Sequence, residues 1–105
     1  MFDKMRILVG SDGSVQSKKA LAEAISIANK FSGFIKVVTV YEKGGEKKAE
    51  TAITDAKHML EKEKIKYDTM MVLNSNATKT LATIAKQENF DLIIVGSRGI
   101  GGKVS

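Results

Sequence analysis

Apolar residues follow two rhythms that alternate along the chain. Arg6-Ile7-Leu8-Val9-Gly10 is a near-continuous apolar run and predicts a strand of the kind found inside parallel sheets. It stops at the turn cluster Ser11-Asp12-Gly13-Ser14. Leu21, Ala24, Ile25, Ala28 and Phe31 then recur at helical spacing. They predict an amphipathic helix over 15–32, with Ser14 as N-cap and Gly33 in the place of a C′ glycine. Ile35 to Val40 is rich in β-branched residues and predicts a second strand.

After the flexible stretch 41–46, with Gly44-Gly45, the positions Ala49, Ala52, Ile53, Ala56 and Leu60 mark a second helix over 46–64. His58 lies off that stripe and is read as exposed and functionless. Tyr67 to Leu73 is a third strand, interrupted by Asp68 and Thr69, with Met70-Met71 as core filler. Asn76 N-caps a third helix carrying Ala77, Leu81, Ile84 and Ala85 and ending near Asn89. Leu92-Ile93-Ile94-Val95-Gly96 closes the series as a strand buried on both faces.

The alternation β-α-β-α-β-α-β predicts a single α/β domain over 1–105. Its parallel sheet is doubly wound and Rossmann-like, with right-handed crossovers and helices on both faces. At 105 residues the chain is large enough for one core and too small for two.

Composition narrows the chemistry. There is no cysteine and one histidine, so disulfides, thiolate metal sites and a histidine-built zinc site are out of reach. No apolar run approaches the roughly 20 residues that span a bilayer, and the start resembles no signal peptide. These features predict a cytoplasmic protein with no membrane partner. The net charge is +5, and seven lysines fall between Lys43 and Lys66, but acidic residues alternate with them. That mixture reads as a solvated helix face rather than the clustered basic stripe of a nucleic-acid binder.

Two loops carry the candidate chemistry, Gly10–Ser14 and Gly96–Gly102, and both follow strands. Glycines at 96, 99, 101 and 102 stand among Ser97, Arg98 and Lys103. Such a loop turns backbone N–H groups toward a ligand and lets it approach closely, as phosphate sites do at the carboxyl ends of parallel strands. If strands one and four are neighbours, both loops flank one crevice at the topological switch point. Asp12 then offers a carboxylate for hydroxyl or amino protons, and the second loop offers donors for phosphates. The other reading of Asp12 is an Asx-turn or helix cap.

Competing folds fit less well. A receiver-like phosphoacceptor domain wants an acidic pair after strand one and an acceptor aspartate after strand three, where Leu73-Asn74-Ser75 stands. Neither G-x-G-x-x-G after strand one nor a Walker A loop is present.

The chain resembles the universal stress proteins. The resemblance rests on Ile7-Leu8-Val9-Gly10-Ser11-Asp12-Gly13-Ser14 with the Ala20-Leu21 helix, on Val37-Val38-Thr39-Val40, and on Asp91-Leu92-Ile93-Ile94-Val95-Gly96-Ser97-Arg98-Gly99. These segments span nearly the whole chain in the family's order. The resemblance implies strand order 3-2-1-4-5 and binding of ATP or ADP, with Mg2+ or Mn2+ through the phosphates. It implies that Asp12 contacts the nucleoside, that Val40 lies against adenine, and that Gly96 and Gly99 approach the phosphates. Ser11, Ser97, Arg98, Gly101 and Gly102 complete the expected nucleotide site. The family's motif G-x2-G-x9-G-[ST] would close beyond Ser105, as would a fourth helix and a fifth strand.

The expectation is therefore a cytoplasmic stress-response or regulatory protein that binds an adenine nucleotide between strands one and four and forms a homodimer. No nucleophile–base pair is in view, which leaves slow hydrolysis of bound ATP as the one reaction to consider. A dimerisation module of the same fold that binds no nucleotide is the alternative.

Overall fold

A computed structural model of the chain describes residues 4–96. The elements run β1 (Arg6–Gly10), α1 (Val15–Phe31), β2 (Phe34–Tyr41), α2 (Glu46–Glu61), β3 (Lys66–Leu73), α3 (Ala77–Gln87) and β4 (Leu92–Val95). The helices stop at Phe31, Glu61 and Gln87, slightly before the ends that the apolar pattern predicts. All pairings are parallel and the sheet order is β3-β2-β1-β4. The adjacency of β1 and β4 is therefore real, with Gly10 level with Val38 on one side and Val95 on the other.

The two-residue period of the strands divides the core between the faces of the sheet. Ile7, Val9, Ile35 and Val37 meet Leu21, Ala24, Ile25 and Ala28 of α1 and Ile53, Ala56 and Leu60 of α2. Leu8 and Val38 meet Leu81 and Ile84 of α3 on the other face. Alanines on α1 and α2 let those helices lie close to the sheet. Met71 packs toward the first cluster and Met70 toward the second, both half-buried, as filler for opposite faces.

Two expectations need correction. Ser32, not Gly33, adopts the left-handed conformation that ends α1 (φ 53°, ψ 48°). Gly33 is there for space: a Cβ would fall 3.0 Å from the Met5 carbonyl oxygen and 3.2 Å from Ala28. Nor is β4 buried on both faces. Leu92 and Ile94 pack on the α1–α2 side, while Ile93 and Val95 on the α3 side are 41% and 53% exposed. The reason is placement, because α3 packs over β2 and β1 rather than over β4.

Polar contacts at the amino edge hold β4 in place. The Asp91 carboxylate accepts from the Arg6 N–H at 2.8 Å, and the Asp91 N–H donates to the Arg6 carbonyl at 2.8 Å. The Arg6 guanidinium lies 5.1 and 4.7 Å from the ring centres of Phe34 and Phe90, within cation–π range. Beside it the buried Lys36 ammonium pairs with Glu88 at 3.0 Å and stands 4.0 Å from Asp68. Pairing of this kind is what makes a buried lysine tolerable.

One buried polar group is left over. The Thr39 hydroxyl, in β2, has no hydrogen-bond partner among the described residues, and Thr39 is 2% exposed. An unsatisfied buried hydroxyl costs about 1–3 kcal/mol, whereas an apolar group of the same shape does not. Thr39→Val is expected to raise stability by about 1 kcal/mol, read as a higher urea midpoint with unchanged slope. A loss of stability would mean that the hydroxyl is satisfied.

Candidate functional site

β1 ends at Gly10 because the next residues form a turn tied together by their own hydroxyls. The Ser11 N–H extends the sheet by donating to the Val38 carbonyl at 3.0 Å. The Ser11 Oγ accepts from the Gly13 N–H at 3.3 Å and donates to the Ser17 Oγ at 3.3 Å. Ser17, buried, donates in turn to the Ser14 carbonyl at 3.0 Å. The Ser14 Oγ accepts from the Ser17 N–H at 3.1 Å and so caps α1, as its position predicts. Gly13 sits at φ +84° with Ala52 of α2 where its Cβ would be, at 3.3 Å. Both the conformation and the space ask for glycine there.

Within this turn Asp12 is exposed, and its Oδ1 accepts from the Ser14 N–H at 2.9 Å. The Asx-turn reading is therefore correct for that oxygen. Asp12 also lines a crevice between the ends of the strands.

That crevice, of about 160 Å3, lies where β1 and β4 end. Of the residues that the sequence picks out, Ser11, Asp12, Val40 and Gly96 all line it. Ser97, Arg98, Gly99, Gly101 and Gly102 lie outside the described residues. The remaining walls come from Gly10, Val38 and Val95 of the strands and from Ala77 and Leu81 of α3. The apolar pattern uses Ala77 and Leu81 only to mark the third helix. Their place directly after the Asn76 cap, at the same sheet edge as the two loops, is the signal that marks them as wall residues as well. Asn76 caps as predicted, its Oδ1 accepting from the Lys79 N–H at 2.9 Å.

Two glycines set the width of the crevice. A Cβ on Gly10 would fall 2.7 Å from Leu81 Cδ1 and 3.0 Å from Val95 Cγ1. A Cβ on Gly96 would run into the Gln16 carbonyl group and lie 2.6 Å from the Ser17 nitrogen. Gly96 thus lets the end of β4 rest on the first turn of α1. This packing role stands beside the ligand-approach role read from the loop.

Two wider depressions adjoin the crevice. One, of about 520 Å3, lies between the start of α1 and α2 and shares Asp12 with it. The other, of about 480 Å3, lies between the β2 and β3 ends and shares Val40 and Ala77. His58 is exposed on α2 and lines none of these three. Tyr67, near the amino end of β3, has its pKa raised by partial burial and then by the Glu61 carboxylate at 3.4 Å. It is remote from the crevice.

In chemical terms the crevice offers apolar walls for a ring and a carboxylate at its mouth for hydroxyl or amino donors. Asp12 is the one titratable side chain among the described residues that line it.

The model of the universal stress protein family matches residues 4–103. No curated protein sequence matches the chain. Among solved structures, a universal stress protein from Archaeoglobus fulgidus is similar at a TM-score of 0.78 and 20% identity, over 97% of this chain and 84% of that one. Protein Rv1636 from Mycobacterium tuberculosis H37Rv is similar at 0.76 and 21%, over 99% and 79%. A universal stress protein in complex with cAMP is similar at 0.74 and 18%, over 87% and 75%.

Gly96→Ala is expected to force β4 away from α1 and to destabilise the fold by about 1–3 kcal/mol. Thermal unfolding checks this. An unchanged midpoint would show that the contact of Gly96 with Gln16 is loose.

Proposed function

The chain belongs to the universal stress protein family, and on that premise we propose that it binds an adenine nucleotide, ATP or ADP, in the β1–β4 crevice and acts as a nucleotide-responsive stress or regulatory protein. The observation that carries the reading is the union, in one crevice, of the Asp12 carboxylate with the apolar walls Val40, Ala77, Leu81 and Val95. Adenine enters between Val40 and the α3 residues, and Asp12 accepts from the ribose hydroxyls. Gly96 and the following Ser97, Arg98, Gly99, Gly101 and Gly102 take the phosphates on backbone donors. Mg2+ or Mn2+ accompanies the phosphates, which supply its oxygen ligands. The cAMP complex of a protein with the same fold supports a nucleotide as the ligand class. The protein works in the cytoplasm; no helix among the described residues is long and apolar enough to cross a membrane.

Self-association through β4 is the companion proposal. β4 stands at the edge of the sheet formed by the described residues, and its own Ile93 and Val95 are exposed. An apolar sheet edge without lysine or proline favours pairing with another chain. The same feature supports the second reading, a dimerisation module that binds no nucleotide.

Calorimetry with ATP and with ADP tests the first reading, and light scattering on the same samples gives the assembly mass. Binding is expected, and Asp12→Ala is expected to weaken it by roughly 1–3 kcal/mol. Asp12→Asn keeps an acceptor for the Ser14 N–H and so separates loss of the charge from loss of the turn. No heat at millimolar nucleotide, with a dimeric mass, would favour the dimerisation module. A monomer at high concentration would overturn the pairing through β4.

A further inference from the structure

We infer that Lys47 and Lys48, at the start of α2, add ammonium partners to the backbone donors that take the phosphates of the bound nucleotide and make the site prefer a nucleotide over its nucleoside. The inference rests on the nucleotide-binding reading above.

The argument starts from how the cavities join. Asp12 is a wall of both the crevice and the 520 Å3 depression between α1 and α2, and Lys47 and Lys48 line that depression. Val40 and Ala77 are walls of both the crevice and the 480 Å3 depression, and Lys48 lines that one too. Lys48 therefore lines both depressions into which a phosphate chain would run on leaving the crevice past Asp12 or past Val40.

Charge accounting points the same way. The acidic groups lining the 520 Å3 depression are Asp12 and Asp55, and Asp55 is paired with Lys18 at 3.3 Å. Among the described residues the ion pairs are Lys18–Asp55, Lys36–Asp68 and Lys36–Glu88, so the ammonium groups of Lys47 and Lys48 are uncommitted. Glu42, Glu46 and Glu50 lie nearby in sequence and are exposed. Glu42 lines the depression on the Val40 side, and Glu46 and Glu50 line neither. With the Lys18–Asp55 pair set aside, each path carries two lysines and one carboxylate, Lys47, Lys48 and Asp12 on one and Lys43, Lys48 and Glu42 on the other. A lysine ammonium on a flexible stem serves phosphate oxygens as a mobile point charge. Asp12 takes the hydroxyls of the same ligand, so opposite charges divide the two ends of one molecule between them.

The test compares ATP and adenosine by calorimetry on the full chain, for the unaltered protein and for Lys47→Gln with Lys48→Gln. Both lysines are exposed, and circular dichroism confirms the fold of the variant. Adenosine affinity is expected to stay within about twofold, while ATP affinity falls by about tenfold. Lys48→Arg should restore most of the loss, and raised salt should shrink the difference between the two ligands. Lys62→Gln with Lys64→Gln removes the same charge at the far end of α2 and should leave ATP affinity unchanged. ATP affinity unmoved by the first pair, or lowered equally by the second, would overturn this inference and leave the nucleotide reading standing. Failure of the unaltered protein to bind either ligand would overturn both.

Discussion

Asp91 holds the start of β4 to β1 through two hydrogen bonds with the Arg6 backbone, and at the other end Gly96 rests on the first turn of α1. Between these fixed points β4 stays in register with β1, Leu8 against Ile93 and Gly10 against Val95. The chain order of the strands is broken only there, because α3 carries the chain across β2 and β1 before β4 begins. In an open α/β sheet such a break leaves room for a ligand between loops that diverge to opposite faces. The crevice follows from where β4 is held, and its narrowness follows from Gly10 and Gly96.

The turn after β1 adds stiffness to that geometry. Four hydroxyl-mediated contacts among Ser11, Gly13, Ser14 and Ser17 organise it, and Asp12 is oriented by the Ser14 N–H. A carboxylate already aimed in the free protein loses less entropy on binding. Gly13, at positive φ against Ala52, joins this turn to α2. The turn that carries Asp12 and α2 are thus in contact through Gly13 and Ala52, although α2 contributes no described residue to the crevice walls.

Much of this was legible in the amino-acid order. Continuous apolar runs mark the strands because both faces of a parallel sheet tend to be covered, and Ser14 and Asn76 cap helices where short polar side chains precede apolar periodicity. Ser11, Asp12, Val40 and Gly96 were identifiable from strand ends and from the family resemblance. The rest turned on tertiary placement. Burial of β4 on one face depends on where α3 lies, which periodicity within β4 does not encode. Lys36 is buried within β2 because Glu88, far away in sequence, comes to meet it, a pairing that the pattern within the strand does not encode. The left-handed residue at the end of α1 is Ser32 since Gly33 is needed where Met5 and Ala28 crowd the chain. Leu81 does double duty, as core and as crevice wall, and an apolar stripe cannot announce the second role.

The central claim is that the ligand sits between β1 and β4 with its base against Val40 and α3. Amide chemical-shift mapping of the isotope-labelled protein during titration with ADP tests it most directly. The account predicts the largest shifts at Ser11, Asp12, Gly13, Val40, Ala77 and Gly96, with the amino-edge residues Arg6, Lys36 and Asp91 unmoved. Shifts centred on the amino edge, or on the α3 side of β3, would place the ligand elsewhere and contradict it.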